Sequence, residues 1–78
     1  MILRRKISAD YVAFRAIQAE IIKIAEQHSL AEDKLFEAKL TIEESLIDAI
    51  KRFGSGVRLR FEAEIDASGV TIAVQEAG

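Results

Sequence analysis

The 78-residue chain carries 11 basic and 13 acidic residues for a net charge of -2, half of it is apolar, and it contains no cysteine and one histidine. That composition excludes a disulfide scaffold or a Cys/His metal domain, and it argues against a general nucleic-acid binder, which needs a clearly basic surface. No apolar stretch approaches the ~20 residues that span a bilayer, and Met1-Ile2-Leu3-Arg4-Arg5-Lys6 places charge after the apolar residues, the reverse of a secretory leader.

The chain therefore reads as one soluble, cytoplasmic domain over residues 1–78. A domain of this size buries only about 60% of the surface that its unfolded chain exposes. Close helix packing or self-association must make up the difference. Ile2 to Ile7 is an extended candidate with Leu3 and Ile7 on one side and Arg4 and Lys6 on the other. Arg5 breaks the alternation, which an edge strand tolerates. Ser8 and Asp10 are N-cap types, and Phe14, Ile17, Ile21, Ile24 and His28 then fall at steps of three and four, one stripe of a helix. His28 at the end of that stripe reads as a partly buried structural residue, since no second ligand-type side chain stands at metal spacing.

Ser29-Leu30-Ala31-Glu32 has the form of a capping box, which ends the first helix and starts a second antiparallel to it. Leu35, Ile42, Leu46, Ala49 and Phe53 line one side of this second helix, and Phe36, Leu40, Ile47 and Ile50 widen the apolar arc. Lys51 and Arg52 suit the negative end of the helix dipole, and Gly54 suits the position past it. From Val57 the period changes to two: Val57, Leu59, Phe61, Ala63 and Ile65 face one way, and Arg58, Arg60, Glu62 and Glu64 the other. Asp66-Ala67-Ser68-Gly69 is turn chemistry, and Val70, Ile72 and Val74 continue the inner face on a return strand. The expected class is α+β in the order β-α-α-β-β, two antiparallel helices on one face of a small, mainly antiparallel sheet.

Three groups of residues could carry chemistry. Glu44 and Asp48 are neighbours one turn apart on the second helix; such a pair can hold magnesium or polarise a water, or it can simply be a solvated face. Arg4, Lys6, Arg58 and Arg60 cluster on the open sheet face if the first and third elements pair, either as an anion patch or as a soluble outer surface shared with Glu62 and Glu64. Val70-Thr71-Ile72-Ala73-Val74 is a β-branched strand with no charge before Glu76, an edge on which a second copy can pair to give a homodimer.

Thr41-Ile42-Glu43-Glu44-Ser45-Leu46-Ile47-Asp48-Ala49-Ile50-Lys51-Arg52-Phe53-Gly54 resembles the N-box of GHKL (Bergerat-fold, histidine-kinase-like) ATPases, especially anti-sigma-factor serine kinases. Family members carry Glu-x-x-x-Asn-Ala on a helix, often followed closely by His-Gly. Glu44 corresponds to the Glu, Ala49 and Gly54 to their counterparts, Asp48 stands for the Asn and Phe53 for the His. Val74-Gln75-Glu76-Ala77-Gly78 is similar to the start of the family's next box, Val-x-Asp-x-Gly-x-Gly, with Glu76 for the Asp and Gly78 for the first Gly.

The resemblance implies a catalytic role for Glu44, magnesium and nucleotide binding at Asp48, and further nucleotide contacts at Glu76 and Gly78, with ATP and Mg as cofactors. It covers nearly the whole chain but only the N-terminal portion of the family's domain; the second glycine box and the ATP lid have no counterpart. Asp48 adds charge near phosphates, and Glu76 is one methylene longer than Asp. The expectation is a truncated or degenerate anti-sigma-like regulatory module, with ATP binding weak or absent and a sigma factor or anti-sigma antagonist as partner. The alternatives are a fragment of an ATP-dependent anti-sigma serine kinase and an unrelated small α+β interaction domain.

Overall fold

The computed structural model describes residues 1–77. Strand β1 (Ile2–Ser8) leads into helix α1 (Tyr11–Gln27) and helix α2 (Glu32–Phe53), followed by strands β2 (Arg58–Asp66) and β3 (Gly69–Glu76). The three strands form one antiparallel sheet in the order β1-β2-β3, and both helices pack on the same face of it, as the change of period from 3.6 to 2 implies. α1 lies over β1 and β2, and α2 lies over β3. No helix among the described residues is long and apolar enough to cross a membrane.

β2, the central strand, supplies the floor of the core. Leu59, Phe61, Ala63 and Ile65 are essentially inaccessible, and the residues between them point to the opposite face. Against them pack Phe14, Ile17, Ile21 and Ala25 of α1 and Ile42, Leu46 and Ala49 of α2, with Leu3, Ala9 and Leu30 closing the ends. Val70, Ile72 and Val74 of β3 are half-buried beneath α2. Among the described residues no polar or charged residue is buried.

Asp10 caps α1: its side chain accepts from the Ala13 N–H at 2.8 Å. The far end of α1 departs from the expected capping box. Ser29 takes a left-handed conformation (φ 60°), donating its N–H to Glu26 at 3.0 Å, while Leu30 donates to Ala25 at 3.3 Å. These two bonds make a Schellman stop, with Leu30 folded back into the core. Serine here ends the first helix and does not begin the second. α2 starts from Ala31, which offers no side-chain cap. Its first turn instead carries Glu32 and Asp33 and its last Lys51 and Arg52, charges matched to the helix dipole at both ends.

The stop also exposes His28, which sits at the cap position and not in the stripe. The expectation of a partly buried histidine is corrected, because the chain turns away from the core one residue after Gln27. A second correction falls on α2, where Phe36, Leu40 and Ile47 are exposed and do not widen the buried arc. The sheet lies under the Ile42–Leu46–Ala49 side of α2, and α1 flanks it without reaching the far side.

The β2–β3 hairpin has Ala67 and Ser68 between the paired Asp66 and Gly69. The Asp66 carboxylate accepts from both the Ser68 hydroxyl and the Ser68 N–H, and these bonds hold its pKa below the usual carboxylate value.

Candidate functional site

α2 and β3 run side by side at the edge of the sheet. Lys34, Glu37, Thr41, Ser45, Asp48 and Arg52 recur at steps of three and four, so they form one rim of α2 along this edge. Two shallow clefts lie beneath the rim. In the first, Lys34, Glu37 and Thr41 face the hairpin around Ser68 to Thr71. In the second, Ser45, Asp48, Ala49, Arg52 and Phe53 face Ile72 and Val74.

The second cleft holds the centre of the N-box-like segment. Asp48 stands at its mouth and accepts from Arg52 Nη1 at 3.4 Å, an ordinary pair one helical turn apart with both side chains more than half exposed. Glu44 lies one turn back, exposed, and does not line the cleft. Glu76 is at the end of β3 opposite Leu59, on the helix-facing side, and is also exposed. Gly78 lies outside the described residues. The fold thus brings Asp48 together with Ile72 and Val74, the middle of the strand expected to bind a partner, but leaves Glu44 on the solvent side.

Could this donor set hold magnesium? Magnesium is usually held by one or two carboxylates together with substrate phosphates and water. Asp48 supplies one carboxylate, and the adjacent Arg52 guanidinium competes for it. Among the described residues no group of three or more acidic, His or Cys side chains converges on a metal-sized space. The residues present do not make a cation site on their own, and no reaction step is assigned to one.

On the opposite face of the sheet the four basic residues do cluster. Arg4 bonds Glu62 at 2.9 Å across the strands, while Lys6 stands directly opposite Arg60, and Arg58 is one pair further along. The patch is mixed in sign, since Glu62 and Glu64 share it.

Sequence reasoning missed a surface on the outer side of the helix layer. Tyr11, Phe14, Arg15 and Gln18 of α1 face Glu43, Leu46 and Ile47 of α2 across a shallow groove. Gln18 spans it, donating to the Lys39 carbonyl at 3.3 Å. Phe36 and Ile47 remain 63% and 53% exposed, and Leu40 lies between them on the same line of the helix. The signal was present in the spacing. The apolar arc of α2 from Ala38 round to Leu40 covers roughly 200°, far wider than the stripe that one packed layer needs.

Comparison of the chain with protein-family models, with curated proteins and with solved structures found no match.

Proposed function

We propose that the chain is a regulatory module of the anti-sigma-factor type that acts by binding a protein partner, with ATP binding weak or absent. The observation that carries this reading is the exposed apolar line Phe36–Leu40–Ile47 of α2, with the exposed Tyr11 of α1 across the groove from Ile47. Three large apolar side chains on one line of α2, with Tyr11 beside Ile47, exceed the scattered exposure normal for a surface, and such patches mark interaction sites. The N-box-like segment lies on the same helix. Its pairing of Asp48 with Arg52 and the solvent position of Glu44 favour binding over catalysis. A cytoplasmic sigma factor or an anti-sigma antagonist is the class of partner that the resemblance suggests.

The test is a binding panel of sigma factors and their antagonists against the wild type and against Phe36→Asp and Ile47→Asp. Both substitutions lie on exposed positions and leave the core intact. A partner that binds the wild type and is lost in both folded variants supports the reading; one that binds all three equally contradicts the assignment of this surface.

A second reading has one specific observation in its favour. Asp48 and β3 line the same cleft, as they would if that cleft took a nucleotide. On that reading the chain belongs to an ATP-dependent anti-sigma serine kinase and Glu44 is its base.

A further inference from the structure

The two edges of the sheet are treated differently, and the difference is read from the hydrogen-bond register. Ala77 donates to the Arg58 carbonyl at 2.9 Å, which makes residues 58 and 77 a hydrogen-bonded pair. Counting along the antiparallel register, Gly69, Thr71, Ala73 and Gln75 are the β3 residues that exchange bonds with β2. Val70, Ile72, Val74 and Glu76 therefore turn their N–H and C=O groups outward. No group among the described residues pairs with them.

The β1 edge is the reverse. Ile65 donates to Met1 at 2.8 Å and Ala9 donates to Val57 at 2.8 Å, so Ile2, Arg4, Lys6 and Ser8 face outward there. Arg5 donates to the Arg4 carbonyl at 2.8 Å, and Asp10 N–H donates to the Ser8 carbonyl at 2.8 Å. Charges at Arg4, Arg5 and Lys6 complete the protection. One edge is blunted by charge and by occupied carbonyls. The other bears no charge from Gly69 to Gln75.

We infer that the open β3 edge is the dimerisation surface of this chain, with a second copy pairing antiparallel to it about a two-fold axis at Ile72. The occupant follows from symmetry. An antiparallel strand is its own complement, so the outward groups of Val70, Ile72 and Val74 meet those of Val74, Ile72 and Val70 on the other copy. The sheet becomes six strands, with a β1 edge at either end. The α2 rim above the join presents uncharged Thr41 and Ser45 near its middle. The inference is independent of any nucleotide or sigma-factor partner.

In this register Thr71 lies opposite Ala73 of the second copy. Both residues are exposed, and within one chain they stand opposite Glu64 and Glu62. The double variant Thr71→Lys, Ala73→Lys therefore suits the monomer, because each lysine meets a glutamate, but it sets lysine against lysine across the join. Ile72→Pro removes a donor that β2 does not use and places the ring on the open edge. Sedimentation equilibrium on the wild type should give a dimer at micromolar concentration, and the double lysine variant should raise the dissociation constant by about tenfold or more. Circular dichroism should show the variant folded, so the result stands even if Ile72→Pro unfolds. A wild type monomeric at high micromolar concentration, or a dimer that the lysine pair leaves unchanged, overturns the inference.

Discussion

Arg5 lies on the helix-facing side of edge strand β1, opposite Phe61, and its guanidinium reaches across to Glu20 of α1 at 3.0 Å. An inward-pointing charge on an edge strand is a recognised protection against pairing with another chain. The pair itself is partly exposed, and such pairs are worth about 0–1 kcal/mol. Arg5→Val should therefore change unfolding free energy by no more than about 1 kcal/mol, while removing both the charge and the donor to the Arg4 carbonyl. Light scattering should then show assemblies larger than those of the wild type at equal concentration. An Arg5→Val protein that assembles as the wild type does would show that β1 is protected by something else.

Ser29 supplies a second prediction. It is the one non-glycine residue with positive φ among those described, in the position where helices commonly end on glycine. A left-handed conformation costs an L-residue roughly 1–2 kcal/mol, part of which serine recovers through its short polar side chain. Ser29→Gly relieves that cost but loosens the unfolded chain, so urea unfolding should show a net gain of about 0.5–1 kcal/mol. A loss of stability would mean that the Ser29 hydroxyl is needed at the junction.

The core makes a third. Leu46 and Phe61 are 2% and 1% exposed on the two sides of the helix–sheet layer. Truncating either to alanine leaves a cavity in a thin core and should cost ~2–5 kcal/mol. Arg60→Ala, on the open face of the sheet, should stay within about half a kcal/mol. Urea midpoints for the three variants check both claims together, and an Arg60→Ala as damaging as Phe61→Ala would mean that the facing of β2 is reversed.

Much of this architecture was legible because β2 alternates strictly and α1 and α2 carry regular stripes. Leu59, Phe61, Ala63 and Ile65 needed only a count of two, and Phe14, Ile17 and Ile21 a count of three and four. Arg5 could be seen as an interruption but not as a reach to Glu20, which is fifteen residues away and depends on how α1 crosses the sheet. Ser29 was misread because a Ser-x-x-Glu spacing serves a helix start, whereas the helix before it needed a stop more. Phe36, Leu40 and Ile47 were misread because an apolar residue on a helix does not say which neighbour covers it. The cleft under Asp48 was legible only in part. The spacing put Asp48 and Glu44 on one helix face, but only the packing of α2 on β3 sets Asp48 beside Ile72 and Val74 and leaves Glu44 in solvent.

The most direct measurement is a calorimetric titration of the chain with magnesium and a non-hydrolysable ATP analogue. Asp48 is paired with Arg52, and Glu44 stands clear of the cleft. Binding weaker than ~1 mM is expected, an affinity of only about 4 kcal/mol, with no phosphotransfer when ATP is supplied. If weak binding is seen, Asp48→Asn should strengthen its dependence on magnesium and Glu44→Ala should leave it in place. Saturable binding with a micromolar constant would contradict a module that works by protein contacts alone, and would move the assignment to an ATP-dependent kinase.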